Sequence, residues 1–248
     1  MPQTIHLVRH AQGYHNLNSD NHRLHDPELT ELGKQQCADL RASFPTKESV
    51  DLIVASPLRR TIYTALLSFA DVLEKDQSMR LVTLPELQET SDLPCDTGSN
   101  LETLLKEFEG KPVDLNRVVE GWNSKRGYWA PTAQAVTERA KAARQWLRDR
   151  KENEIVVVAH GALLHFLSND WHGATNFQGT GWRNCEVRTY NFDPKSGDEA
   201  YLFETSASRE RRRGAEKPLG EAEQRNLMQL VVKDWVTVGE LKEMEAES

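Results

Sequence analysis

Short apolar runs alternate along this chain with longer segments in which apolar residues recur every three or four positions. "TIHLV" (Thr4 to Val8), "DLIVA" (Asp51 to Ala55), "RLVTL" (Arg80 to Leu84) and "EIVVVA" (Glu154 to Ala159) have the length and β-branched content of buried strands. Between them, "LTELGKQQCADLRASF" carries Leu32, Cys37, Leu40 and Phe44 at helical spacing behind Thr30 as a cap. "SPLRRTIYTALLSFADVLE" carries Ile62, Ala65, Leu66, Phe69 and Leu73, with Ser56 placed to cap and Pro57 suited to the first helical position. The clearest helix is "TAQAVTERAKAARQWLRDR", with Ala133, Val136, Ala140, Ala143 and Leu147 on one face, and a further helix follows His160-Gly161. Pro85 to Pro131 is rich in turn formers and aromatics and reads as an insertion with a short helix near Asn100 to Phe108. "EVRTYNFDPKSGDEAYLFET" predicts an edge hairpin turning through Pro194 to Gly197. Ser206 to Ser248 reads as a polar, partly helical extension.

Strands alternating with amphipathic helices predict an α/β fold: a three-layer sandwich whose mostly parallel central sheet is covered by helices on both faces. Residues 1–205 form its one domain, with 85–131 as a lid or cap and 206–248 as the extension. In such sheets ligands bind outside the carboxyl ends of the strands. Arg9-His10, Ser56 to Arg60, Glu86 and Glu89, and His160-Gly161 all fall just past predicted strand ends, so four separated segments converge on one edge.

Composition narrows the picture by exclusion. No stretch of the 248 residues approaches the roughly 20 apolar residues that span a bilayer, and the N-terminus lacks the basic-then-apolar pattern of an export signal. A net charge of -7 argues against a broad nucleic-acid footprint; "RERRRG" (Arg209 to Gly214) is a local exception and reads as a solvated hinge. Cys37, Cys95 and Cys185 are odd in number and widely spaced, which suits neither a metal knuckle nor a disulfide framework and points to a reducing, cytoplasmic setting. His15, His22 and His25 share a polar loop with Asp20 and Asp26, but their irregular spacing lacks a helical ligand pair, so no metal is expected. His6, alternating inside its strand, reads as structural, and "GTGW" (Gly179 to Trp182) as a flexible loop.

"LVRHAQGYHN" resembles the Arg-His-Gly-x-x-x-x-Asn signature of the histidine phosphatase superfamily, which includes the cofactor-dependent phosphoglycerate mutases, and is closest to the "RHAQGxHN" variant of fungal and plant mutase-like proteins. "LTELGKQQ", "SPLRRTIYTA" and "VVAHGALL" follow in the family's order and spacing, so the resemblance covers roughly the first 205 residues. Each motif alone is weak; the four together are specific. The resemblance implies a phosphoglycerate mutase-like fold, phosphoryl transfer without metal or other cofactor, a small phosphorylated substrate, and inorganic phosphate as product and inhibitor.

The chemistry accounts for these residue types. A phosphoryl group in transfer spreads negative charge over its equatorial oxygens, and arginine meets those oxygens with paired, permanently charged donors. By resemblance, Arg9, Arg60 and His160 grip the phosphoryl oxygens and Asn16 adds a neutral amide. Gly161 opens a helix whose N-terminal dipole joins the same anion site. His10 attacks phosphorus as neutral imidazole and becomes a phosphohistidine, with its other nitrogen donating to a backbone carbonyl. The leaving alkoxide needs an acid, and the family pattern Leu-x-Glu falls on Glu89 in "LQE". The family's glycine four residues later is Leu93 here, which leaves Glu86 as the rival, with Asp92 and Asp96 behind it. Ala11 and Gln12 also depart from the usual residues beside the nucleophile.

Three functions follow: a phosphomonoesterase working through phosphohistidine, a mutase-type phosphoryl transferase, and a non-catalytic phosphate-binding scaffold. The mutase segment Glu-Arg-His-Tyr-Gly has no counterpart in "LQETSDLPCDTG", and none of the core positions is lost, so hydrolysis is favoured. Trp122, Tyr128 and Trp129 in the insertion suit either a lid over the leaving group or a satellite core. The substrate and the oligomeric state have no signature in the sequence.

Overall fold

The structure is a computed structural model that describes residues 3–174, 181–213 and 217–243; Gly179 and Thr180 of "GTGW" lie outside the described residues. In chain order its elements are β1 (Thr4–Arg9), α1 (Glu31–Ser43), β2 (Leu52–Ala55), α2 (Arg59–Ser68), α3 (Ala70–Lys75), β3 (Leu81–Thr83), α4 (Leu101–Glu107) and β4 (Val113–Asp114). They continue with α5 (Ala133–Arg148), β5 (Glu154–Ala159), α6 (Gly161–Ser168), β6 (Val187–Phe192), β7 (Leu202–Glu204), α7 (Ser206–Arg213) and α8 (Glu221–Thr237). The described strands form one sheet in the order β4-β3-β2-β5-β1-β6-β7. The five from β4 to β1 run parallel, and the hairpin β6-β7 adds antiparallel to β1.

Strand side chains alternate between faces, and that period of two sorts the core into halves. Ile5, Leu7, Val54, Ile155 and Val157 face Val136, Ala140, Ala143 and Leu147 of α5 together with α6. Val8, Ile53, Ala55, Val156 and Val158 face Leu40 of α1, Ile62 and Ala65 of α2, and Leu104 of α4. Both faces are apolar, which is why the strands read as continuous runs. His6, buried in β1, bonds Glu154 Oε1 at 2.7 Å and Thr189 Oγ1 at 3.1 Å, a satisfied structural histidine.

Four local readings are corrected. Ser56 and Pro57 do not open α2, which begins at Arg59: Ser56 Oγ is taken by His160 Nε2 at 2.9 Å, and the buried Asp26 carboxylate caps the helix from a distance by accepting Arg59 N–H at 3.0 Å. The insertion contributes β4, too short to register as a pattern, and so is fastened to the sheet edge. "RERRR" is no solvated hinge, since Arg209 to Arg213 lie in α7 and Arg212 bonds Glu204 Oε2 at 2.6 Å. The extension is less polar in arrangement than in average: Val231 of α8 and Leu241 beyond it are each 1% exposed within the α5-α6 face of the core, and Trp235 lies 6.0 Å from Trp171. Acidic and basic neighbours mask that apolar stripe in the sequence.

Trp122 has no exposed surface and packs with Phe108, Leu115 and Val118. It is core, and the insertion is built around it. Trp122→Ala is therefore expected to cost about 3–5 kcal/mol of folding stability, read as a lowered urea midpoint; a loss under about 1 kcal/mol would mean that the insertion folds independently of this ring.

Candidate active site

The parallel register sets Arg9 beside Ala159, and Ala55 beside Val158. The ladder runs one step further, with His10 N–H on Ala159 O and Ser56 N–H on Val158 O, both at 3.0 Å. Three consecutive strands of the sheet thus end in His10, His160 and Ser56 on one edge, and the two imidazole rings lie 5.3 Å apart. Arg60, the second residue of α2 and 1% exposed, reaches the same place: its Nη2 lies 3.0 Å from His160 Nδ1 and 2.9 Å from Asp96 Oδ1, and its Nη1 donates to Cys95 O. Because a guanidinium only donates, His160 Nδ1 accepts and Nε2 carries the proton towards Ser56.

His10 Nδ1 bonds Ala11 O at 2.7 Å, which fixes Nδ1 as the protonated nitrogen and leaves the Nε2 lone pair free. Burial, then the charges of Arg60, His15 and Arg9, push its pKa well below the ordinary histidine value, so the ring is neutral throughout the physiological range. His160 is held neutral in the same way by burial and Arg60. Arg9 donates through Nη1 to Trp182 O, and the Nε atoms of both Arg9 and Arg60 are buried with no protein acceptor. A buried donor without an acceptor is costly, and here two cationic donors share one pocket with two neutral imidazoles. The arrangement is complementary to an oxyanion.

Glu89 closes the pocket from the loop after β3. It is 9% exposed, and its Oε1 accepts Thr90 N–H at 3.0 Å and Leu163 N–H, in the first turn of α6, at 3.1 Å. Burial and the nearby Asp96 charge raise its carboxyl to about 7, against the opposing pull of Arg60. Glu86 stands apart: its backbone carbonyl accepts from Arg139 Nη1 at 3.2 Å, while Gln88 O takes the same nitrogen at 3.0 Å. Arg139, fully buried on α5, thus clamps the backbone that presents Glu89.

Asn16 is half-buried, and its Oδ1 accepts Gly13 N–H at 3.0 Å, which leaves its NH2 group as the donor end. Gly161 is buried at the start of α6, whose first amides have no acceptor within the helix. The departures beside His10 are built in: Ala11 N–H bonds Thr64 Oγ1 at 3.0 Å, and Gln12 Oε1 accepts from Thr30 Oγ1 at 2.8 Å at the head of α1. Of the polar loop, Asp26 is a helix cap and His15 a neighbour of His10, at 5.3 Å between rings, with a buried, unpartnered Nδ1. Burial and the two arginines drive His15 down to about 2. Sequence reasoning placed Ser56 at this edge only as a helix cap, and missed His15, Asn184 (whose side chain holds His10 O at 2.9 Å), Arg139 and Lys125. The signal for His15 was Gly13, where a Cβ would meet the His15 ring at 2.8 Å; the others are set by long-range packing.

A family model for the histidine phosphatase superfamily (branch 1) matches residues 5–204. The chain belongs to the histidine phosphatase superfamily. It is 27% identical over 161 residues, 64% of this chain and 74% of the relative, to a protein named "Probable phosphatase" from Schizosaccharomyces pombe. It is 29% identical over 225 residues, 75% of this chain and 80% of the relative, to phosphoglycerate mutase-like protein 1 from Arabidopsis thaliana. Among solved structures, the ecdysone phosphate phosphatase from Bombix mori in complex with tungstate superposes with a TM-score of 0.59 at 16% identity, covering 82% of this chain and 92% of that one, a likeness of fold. The mostly parallel α/β sandwich is therefore the histidine phosphatase fold.

Within this histidine phosphatase the helix that follows the His10 loop is pressed against it. A Cβ at Gly33 of α1 would stand 2.1 Å from Gln12 O, a backbone atom that cannot swing aside. Gly33→Ala is expected to cost about 1–3 kcal/mol of stability by overpacking and to lower turnover by displacing Ala11-Gln12. An alanine variant with unchanged melting temperature and rate would show that this contact does not hold the loop.

Proposed function

We propose that the protein is a cytoplasmic, metal-independent phosphomonoester hydrolase that works through a phosphohistidine on His10. The observation that carries the roles is the pairing of a neutral His10, its Nε2 unencumbered, with a Glu89 carboxyl held near 7 across a pocket of unsatisfied guanidinium donors. Arg9 and Arg60 take the phosphoryl oxygens; His160 joins them by exchanging its Ser56 bond for the substrate, and Asn16 adds its amide. His10 Nε2 attacks phosphorus, the bond to the leaving oxygen breaks, and that oxygen takes the Glu89 proton. The resulting Glu89 carboxylate then removes a proton from water, whose oxygen attacks phosphorus, releasing orthophosphate and restoring neutral His10 and protonated Glu89. The insertion walls the leaving-group side, with Tyr128 41% exposed there.

The first test is the intermediate. His10→Ala should lower kcat/KM by several orders of magnitude while keeping the fold, and substrate-labelled wild-type protein should retain phosphate after alkaline quenching and lose it in acid. A fully active alanine variant would end the proposal. Arg60→Ala should lower kcat/KM by about 10²–10³-fold, and orthophosphate should inhibit competitively.

The second test is the acid. Because Glu89 must be protonated to serve a basic alkoxide, the ratio of alkyl to activated aryl phosphate turnover should fall as pH rises through about 7. Asp96→Asn removes a negative charge that raises Glu89 and frees Arg60 to lower it, so the fall should move to lower pH. Glu89→Gln should abolish the pH dependence of the ratio and steepen the dependence of rate on leaving-group pKa; the same result for Glu86→Gln, with Glu89→Gln unaffected, would reverse the assignment.

A further inference from the structure

The turn that leads into β6 surrounds Arg9 and His10. Cys185 N–H donates to Arg9 O at 3.0 Å, Arg9 N–H donates to Glu186 O at 3.2 Å, and the Asn184 side chain holds His10 O. The Arg9 guanidinium ends on the same turn, with Nη1 donating to Trp182 O. That carbonyl sets the plane of the guanidinium, whose Nε is buried without a protein acceptor. A backbone oxygen is only as fixed as its loop, and this loop carries strain. Cys185 sits at φ +56°, a conformation that L side chains hold only where neighbouring contacts enforce it.

The enforcing contacts converge on Arg188 of β6. The antiparallel register sets Arg188 opposite Leu7, two residues before Arg9, so both arginines project from the same face of the sheet. Arg188 is fully buried: its Nη2 donates to Gly181 O and its Nε to Glu186 Oε1, both at 2.7 Å, and its Cζ lies 3.6 Å from the centre of the Trp182 ring. Glu186 Oε2 in turn accepts Arg183 N–H at 2.7 Å, so one guanidinium and one carboxylate tie the two ends of the turn together. On the far side, Asp170 Oδ2 lies 3.9 Å from Arg188 Nη1, and Gln224 of α8 holds Asp170 Oδ1 at 3.2 Å. A lysine would supply the charge but not the flat fork that bonds two acceptors while stacking on an indole. We propose that Arg188 is a positioning residue for phosphoryl transfer: by locking the turn and the Trp182 peptide, it aims Arg9 at the phosphoryl oxygens. It touches no reacting atom and acts through Arg9.

This inference rests on the phosphatase reading, and the test keeps the two apart. Arg188→Lys keeps a cation beside Glu186 and Asp170, whereas Arg188→Met keeps an apolar stem against Trp182 without donors. Each is made alone and combined with Arg9→Met, and kcat/KM is measured on p-nitrophenyl phosphate with orthophosphate as the inhibitor. Alone, Arg188→Met is expected to lower kcat/KM by about 10²-fold, the scale of a misplaced positioning group. Arg188→Lys should lower it by about tenfold, the scale of one charge-assisted hydrogen bond. The orthophosphate inhibition constant should rise in step. With Arg9→Met already present, either change should cost less than about twofold, because the group it positions is gone. Losses of equal size in both backgrounds would make Arg188 a brace for the fold alone and overturn the inference, leaving the phosphatase reading standing. Full activity in a folded Arg188→Met variant would do the same. Where methionine prevents folding, as judged by circular dichroism, these two outcomes are read from the lysine variant instead. Absence of wild-type turnover together with no labelled His10 would overturn both.

Discussion

Arg60 brings a permanent positive charge into a place with almost no water, and much of the site can be read as what keeps it there. Its desolvation would cost several kcal/mol unassisted. Asp96 supplies a carboxylate and His160 a lone pair to Nη2, and Cys95 a carbonyl to Nη1. What these partners leave over is Nε, buried and unpartnered. The same charge acts outward: it helps hold His10, His15 and His160 neutral and opposes the rise of Glu89. A neutral imidazole and a protonated carboxyl can coexist near pH 7 because burial disfavours the charged form of each; Arg60 reinforces that for His10 and opposes it for Glu89, where Asp96 offsets it.

That balance depends on the sheet. Parallel strands in the register of β1, β5 and β2 deliver three side chains to one edge with no freedom to slide, since a shift of one residue would turn each to the opposite face. The loops that follow are then pinned by polar contacts to helices: Ala11 to Thr64, Gln12 to Thr30, Glu89 to the head of α6, and the Glu89 backbone to Arg139 and Lys125. Apolar packing alone would place the strands; these bonds place the reactive atoms.

The division between the two also explains what the sequence disclosed. The strands of the parallel core and the long helices were legible because burial on both sheet faces writes them as apolar runs and stripes. β4 was not, being two residues of an edge strand, and the stripe of α8 was hidden under charged neighbours. In the site, residues within a motif could be placed at the edge from strand ends alone. Ser56 was placed there but read as a cap, because its competing partner, His160, is 104 residues away. Asp26 looked like part of a histidine-rich loop and is instead the cap of α2, bound to Arg59 and Ser99 across the chain. Such contacts have no local period to reveal them.

Lys125 is the extreme case of the same limit. In sequence it is one lysine in the turn-rich "NSKRG", where exposure is the ordinary expectation. It is buried because the insertion wraps around Trp122, which fixes the residues that follow, and because α5 brings Arg139 up behind the Glu89 loop. The insertion therefore does two physically separate things: its apolar residues attach it to the sheet, and that attachment holds Lys125 against the Glu89 loop. A mobile surface loop could not keep this lysine buried, since its side chain would extend into water. Rigid anchoring of the insertion core is thus what keeps Lys125 buried against the Glu89 backbone.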